Sequence, residues 1–160
     1  MKSLNKLCAF AAIVSLLLGS ACGEDTPNPT PDPVPGEDIA GTWIVAEPGD
    51  VTGPAADQFS DFSINITTTS SQVNYTTTGN GDALVFPDQG TFAVEESDNF
   101  ESGAEVMRGP DNVPTTITLS EGGNVLTMNF TIDINTDAAV NGRVASINGD
   151  YTFVLQKQQQ

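Results

Sequence analysis

The chain has 160 residues, 21 of them acidic and five basic, with no histidine and two cysteines, for a formal net charge of −16. No basic stripe is present to neutralise phosphates, so nucleic-acid binding and adhesion to anionic lipid headgroups are disfavoured. Without imidazole there is no Ser-His or Cys-His pair poised near neutral pH. The length suits one domain with a core of its own.

In chain order, Lys2 and Lys6 form a basic start, Leu7 to Leu18 an apolar run, and Gly19-Ser20-Ala21-Cys22 a small-residue cleavage site. That is the layout of a secretory signal. The apolar run, about a dozen residues, is shorter than the ~20 that a membrane-spanning helix needs. A Cys directly after small residues resembles the signal of bacterial lipoproteins, which implies removal of residues 1–21 and lipidation of Cys22. Gly19 stands where such signals usually carry Leu. This relaxed form looks like that of Bacteroidota lipoproteins, and Gly23-Glu24-Asp25 is similar to their acidic surface-export signal. The resemblance implies a protein anchored by lipid in the bacterial outer membrane and exposed at the cell surface; more than one acyl chain makes such attachment stable. The alternative is a plain cleaved signal with an incidental Cys. Cys8 lies in the removed segment and Cys22 would carry lipid, which leaves no disulfide, zinc cage or thiol nucleophile.

Residues 22–37 read as the anchor and a Pro-rich spacer, with proline at every second position from Pro27 to Pro35. Alternate prolines favour polyproline II at ~3.1 Å per residue, enough to hold a domain roughly 40 Å off a membrane.

Residues 38–160 read as one all-β domain. Leu126, Met128, Phe130, Ile132 and Ile134 alternate with Thr127, Asn129, Thr131, Asp133 and Asn135, the strongest period-two signal in the chain. The same alternation runs through Phe62–Ile66, Val73–Thr77, Phe92–Val94, Ile117–Leu119 and Tyr151–Leu155, and Ile39–Ala46 and Ala83–Phe86 add two further strand expectations. Asn80-Gly81, Gly122-Gly123, Asn141-Gly142 and Asn148-Gly149 supply turn chemistry. The Thr-rich stretches fit β-propensity. About eight or nine short strands predict an antiparallel meander closed as a barrel, with a β-sandwich as the alternative. Closure hides the strand edges that an exported β protein must protect.

Gly41-Thr42-Trp43 opens the first strand and resembles the Gly-x-Trp motif of lipocalins and of the lipocalin-like lipoprotein domains of Bacteroidota. Phe86-Pro87-Asp88-Gln89-Gly90-Thr91-Phe92 and the end from Gly142-Arg143 to Tyr151-Thr152-Phe153 also look like that group. The resemblance implies an eight-stranded barrel whose narrow end is closed by Gly41 and Trp43, with a basic side chain across the indole. Arg143 and Lys157 are the two residues available, and Arg143 is favoured because guanidinium groups stack well on indole. These are fold residues, and so is Arg108, which is placed to neutralise part of an acidic loop.

Glu95, Glu96, Asp98 and Glu101 are the calcium candidates, since carboxylates on a loop are hard oxygen ligands; the alternative is a solvated loop. Asp133, Asn135 and Asp137 have the opening spacing of an EF-hand loop, but Ala138 replaces the required Gly and Val144 stands where the bidentate Glu belongs. No other cofactor is expected. No two acids stand in a recognisable catalytic context, no phosphate-binding loop appears, and the chain is read as a non-enzyme with no catalytic residue. No ligand-binding residue is assigned.

Two functions follow as expectations. The first is a lipid-anchored binder of a small apolar or amphipathic ligand inside the barrel, which requires an open interior. The second is an accessory lipoprotein with a filled core that binds a partner protein or a glycan, and Tyr75, Phe86 and Phe100 are the expected aromatic platforms for a glycan.

Overall fold

The computed structural model describes residues 34–45, 50–134 and 146–159. Cys22, most of the spacer, Asn135, Asp137 and Arg143 lie outside the described residues.

Among the described residues nine strands are formed: β1 (Gly41–Val45), β2 (Val51–Thr52), β3 (Ser63–Thr69), β4 (Gln72–Thr78), β5 (Gln89–Ala93), β6 (Ala104–Gly109), β7 (Val113–Ser120), β8 (Val125–Ile132) and β9 (Gly149–Lys157). From β3 to β9 each strand pairs antiparallel with the next, and β1 pairs with β3 on one side and β9 on the other. Closure runs through Trp43 opposite Lys157 and Val45 opposite Leu155. The result is an eight-stranded barrel in meander order, lipocalin-like in architecture, and not a sandwich. The ninth strand, β2, continues the sheet beside β9, with Val51 opposite Phe153.

The period-two pattern sets the two faces. On β8, Leu126, Met128, Phe130 and Ile132 are buried, while Asn129 and Thr131 are exposed. One expected strand is absent and one strand goes unexpected, each for a physical reason. Ala83–Phe86 is not a strand: Asp82 accepts backbone N–H groups of Leu84, Val85 and Phe86 in a tight turn. β6 escapes the hydrophobic pattern because it points Arg108 inward and Met107 outward.

The barrel has two ends. The lower one, where β1 begins, carries a 3-10 turn at Glu37–Ile39, the β5–β6 connection and the β7–β8 turn, where Gly122 and Gly123 hold φ of 65° and 87°. Glycine adopts that left-handed region without steric cost. The upper end carries a second 3-10 turn at Ala56–Phe59, the β4–β5 connection and the β6–β7 turn.

Among the described residues, side chains enter the barrel from both ends and pack in an aromatic cluster in its interior. Ile39 and Trp43 close the lower end. From above, the β4–β5 connection drops Val85 and Phe86 into the barrel. The Phe86 ring lies 5.3 Å from Phe62, 5.4 Å from Tyr75 and 5.7 Å from both Phe130 and Phe153, centroid to centroid. Phe59 closes on Phe153 at 5.0 Å. Edge-to-face and tilted ring pairs of this kind each add about 0.5–1.5 kcal/mol beyond area burial. Among the described residues no helix is long and apolar enough to cross a membrane.

Candidate functional site

Four places in the barrel concentrate chemistry. The first is Arg108, fully buried in the interior. Its guanidinium carbon sits 4.3 Å from the Phe86 ring centroid and 4.4 Å from that of Phe130. Nη2 donates to Asp111 Oδ2 at 2.6 Å and to the Val85 carbonyl at 2.9 Å, and Nε donates to both Asp111 oxygens at 3.2 Å. Nη1 has no partner. Arg108 therefore ties the plug residue Val85, two core rings and the β6–β7 turn to one cation, and it neutralises Asp111, a member of the acidic stretch. A buried charge needs such pairing to be tolerated at all.

The second is the lower end around Trp43. Indole Nε1 donates to the Ile39 carbonyl at 2.9 Å. Among the described residues, Lys157 places its Nζ 5.2 Å from the ring centroid. Gly41 makes room for it, since a Cβ there would stand 3.0 Å from Lys157 Cε. Arg143, favoured for this position from the sequence, lies outside the described residues.

The third is the acidic β5–β6 connection. Glu95, Glu96 and Glu101 are exposed, and Asp98 turns back so that its Oδ2 accepts the Glu95 N–H at 2.8 Å. With Glu37, Asp38 and Phe100 this loop borders a 150 Å³ recess beside the lower end. Among the described residues no three carboxylates are grouped to hold a metal ion. Asp133 is exposed just beyond β8.

The fourth is a 510 Å³ groove on the outer wall across β4, β5 and the end of β6. Asn74 stands opposite Thr91 and Thr76 opposite Gln89 in the β4–β5 register, so four neutral polar side chains form a compact outward array. Tyr75, between Asn74 and Thr76, points inward beneath it and donates its hydroxyl to the Gly109 carbonyl at 2.9 Å. Burial pushes the Tyr75 pKa up to about 12, against the opposing pull of Arg108. Gly90 lies opposite Tyr75, and a Cβ there would collide with the Gly109 carbonyl and approach Tyr75 Oη to 2.6 Å. Gly109 leaves an outward position beside Thr91 without a side chain, which opens the groove on its β6 side.

The expected aromatic platforms are corrected by burial. Tyr75, Phe86 and Phe100 are all core residues, because each fills an inward position or a plug. The groove was missed in the sequence because its members are common strand residues, brought together only by cross-strand register. Compared with protein-family models, curated proteins and solved structures, the chain matches none.

Proposed function

We propose that this protein is a lipid-anchored lipoprotein of the bacterial outer membrane, displayed at the cell surface, which acts without catalysis through the outside of a filled lipocalin-like barrel. The observation that carries this reading is the packed interior. Phe86 and Val85, borne on a connection and not on a strand, occupy the space that an internal ligand would need. The signal layout ending in Cys22 supports the anchor, and the Pro-rich spacer supports display away from the membrane.

Two measurements test it. Cys22→Ser should move the protein from the membrane fraction to the soluble fraction and abolish incorporation of labelled fatty acid; a variant that stays lipid-labelled overturns the anchor. Titration of the full-length protein with a fluorescent fatty acid should show no saturable binding at one site per chain. Stoichiometric binding would restore the internal-ligand reading.

A further inference from the structure

The outer wall of this strongly acidic protein carries almost no charge. Among the described residues only two acids, Glu105 and Asp150, lie in strands; the others sit in the connections at the two ends. The wall between is built of hydroxyls and amides that bond across strands. Ser63 Oγ and Thr78 Oγ1 are 2.6 Å apart, Thr42 donates to Asn65 at 3.3 Å, and Thr152 donates to Asn129 at 2.7 Å. The groove lies in this wall, and none of its lining side chains is charged.

These features restrict the occupant. An anionic polymer finds no cation in the groove and meets acidic ends above and below. A cation finds no carboxylate there to ligate it. An apolar protein surface needs a contiguous apolar patch, yet the large hydrophobic residues exposed among the described residues are Leu84, on the upper plug at 52 %, and Met107, on β6 at 43 %. Asn74 and Gln89 each offer amide donors and a carbonyl acceptor, and Thr76 and Thr91 each offer a hydroxyl that does both. The threonine methyls, the Pro110 ring and the bare Gly109 backbone make up most of the exposed lining, a low relief against which C–H surfaces can lie. The geometry points to a binding site for a neutral, polyhydroxylated ligand, a segment of uncharged polysaccharide, in the groove formed by Asn74, Thr76, Gln89, Thr91 and Gly109. This inference rests on the reading that the protein acts through its outer surface, and it assigns that surface one place and one ligand class.

The test is native affinity electrophoresis of the detergent-solubilised full-length protein in gels containing dextran, amylopectin or yeast mannan, with polygalacturonate as the anionic comparison. Retardation by at least one neutral polysaccharide and none by polygalacturonate is expected. Gly109→Leu fills the groove and should abolish the retardation. Gly109 has no positive φ, and its new Cβ would stand 3.0 Å from the Thr91 hydroxyl, a small displacement for that side chain. Should Gly109→Leu fail to fold, Thr76→Ala with Gln89→Ala changes two exposed side chains and should weaken binding at least about tenfold. Absence of retardation in all three neutral gels overturns the inference, as does equal retardation by polygalacturonate or retardation that survives these variants. Solubilisation makes the result independent of the anchor, and saturable fatty-acid binding would be the separate sign that the outer-surface reading itself had failed.

Discussion

The pairing of Arg108 with Asp111 makes a prediction that runs against simple burial. Arg108 has a fully buried side chain and Asp111 a side chain 25 % exposed, so burial alone ranks Arg108 as the costlier residue to change. Electrostatics reverses the order. Asp111→Ala removes the charge-assisted bonds at 2.6 and 3.2 Å and leaves the guanidinium enclosed with one carbonyl, two rings and an unpartnered Nη1. Breaking a buried pair from the carboxylate side in this way costs about 3–5 kcal/mol. Arg108→Met instead removes the charge together with its desolvation and lets Asp111 turn to water. It leaves the Val85 carbonyl short of a donor, about 1–3 kcal/mol, and removes an unpartnered donor worth a comparable amount. Sulfur–ring contacts of about 0.3–1.5 kcal/mol partly replace the two cation–ring contacts. The net cost of Arg108→Met is therefore about 0–2 kcal/mol, well below that of Asp111→Ala. With a urea m-value of about 1–3 kcal/mol/M, Asp111→Ala should lower the unfolding midpoint by roughly 2 M and Arg108→Met by less than about 1 M. Trp43 is the only tryptophan of the chain and is buried at the lower end, so its fluorescence reports unfolding without interference. An Arg108→Met variant as unstable as Asp111→Ala, or more so, would refute the reasoning and show that the guanidinium is a net stabiliser of the core.

Two further outcomes follow from the same packing. Gly90→Ala should cost on the order of 3 kcal/mol, because its Cβ meets backbone and the Tyr75 hydroxyl together. Gly122→Ala, with open space around it but a φ of 65°, should cost only about 1 kcal/mol; thermal melts that rank the two the other way would show that the β5–β6 approach is looser than described. Burial also raises the pKa of Tyr75, to about 12, and that of Tyr151. The folded state then holds protons that the unfolded state gives up near the usual value of 10.0, so the contribution of these tyrosines to stability is level below pH 10 and is lost as pH rises from about 10 toward about 12. Tyr75→Phe should flatten that fall in urea midpoints taken across this range, and parallel losses in both proteins would exclude Tyr75 as a source.

Much of the fold was legible because strand burial has a period of two and turns carry their own chemistry. β8 announced itself through its alternating Leu126, Met128, Phe130 and Ile132, and the β7–β8 turn through Gly122-Gly123. What could not be read locally was any position whose role is set by another strand. Arg108 reads from the sequence as a fold residue that neutralises part of an acidic loop, and it does pair with Asp111 three residues on; its place in the core could not be read, because its other contacts, Val85, Phe86 and Phe130, come from elsewhere in the chain. Tyr75, Phe86 and Phe100 looked available for a ligand and are consumed by packing, since a barrel of this size has few inward places and large rings fill them first.

The same logic explains where the groove lies and why composition concealed it. Net charge is a property of the whole chain, but period two and strand closure sort residues by place. Among the described residues, inward positions go mostly to apolar side chains, the connections take all but two of the acids, and the outward positions are left largely to Thr, Asn, Gln and Ser. An acidic protein thereby acquires a neutral flank between two charged ends. Within that flank, Gly109 leaves an outward position without a side chain beside the paired Asn74–Thr91 and Thr76–Gln89 rows, and the groove lies there. The acids at the ends disfavour anionic polymers over the whole molecule, whereas the groove offers hydrogen bonds without charge. If the groove takes a neutral polysaccharide, raising the salt concentration should leave that binding nearly unchanged, because no ion pair is formed for salt to screen. A steep salt dependence would place the contact at the charged ends instead.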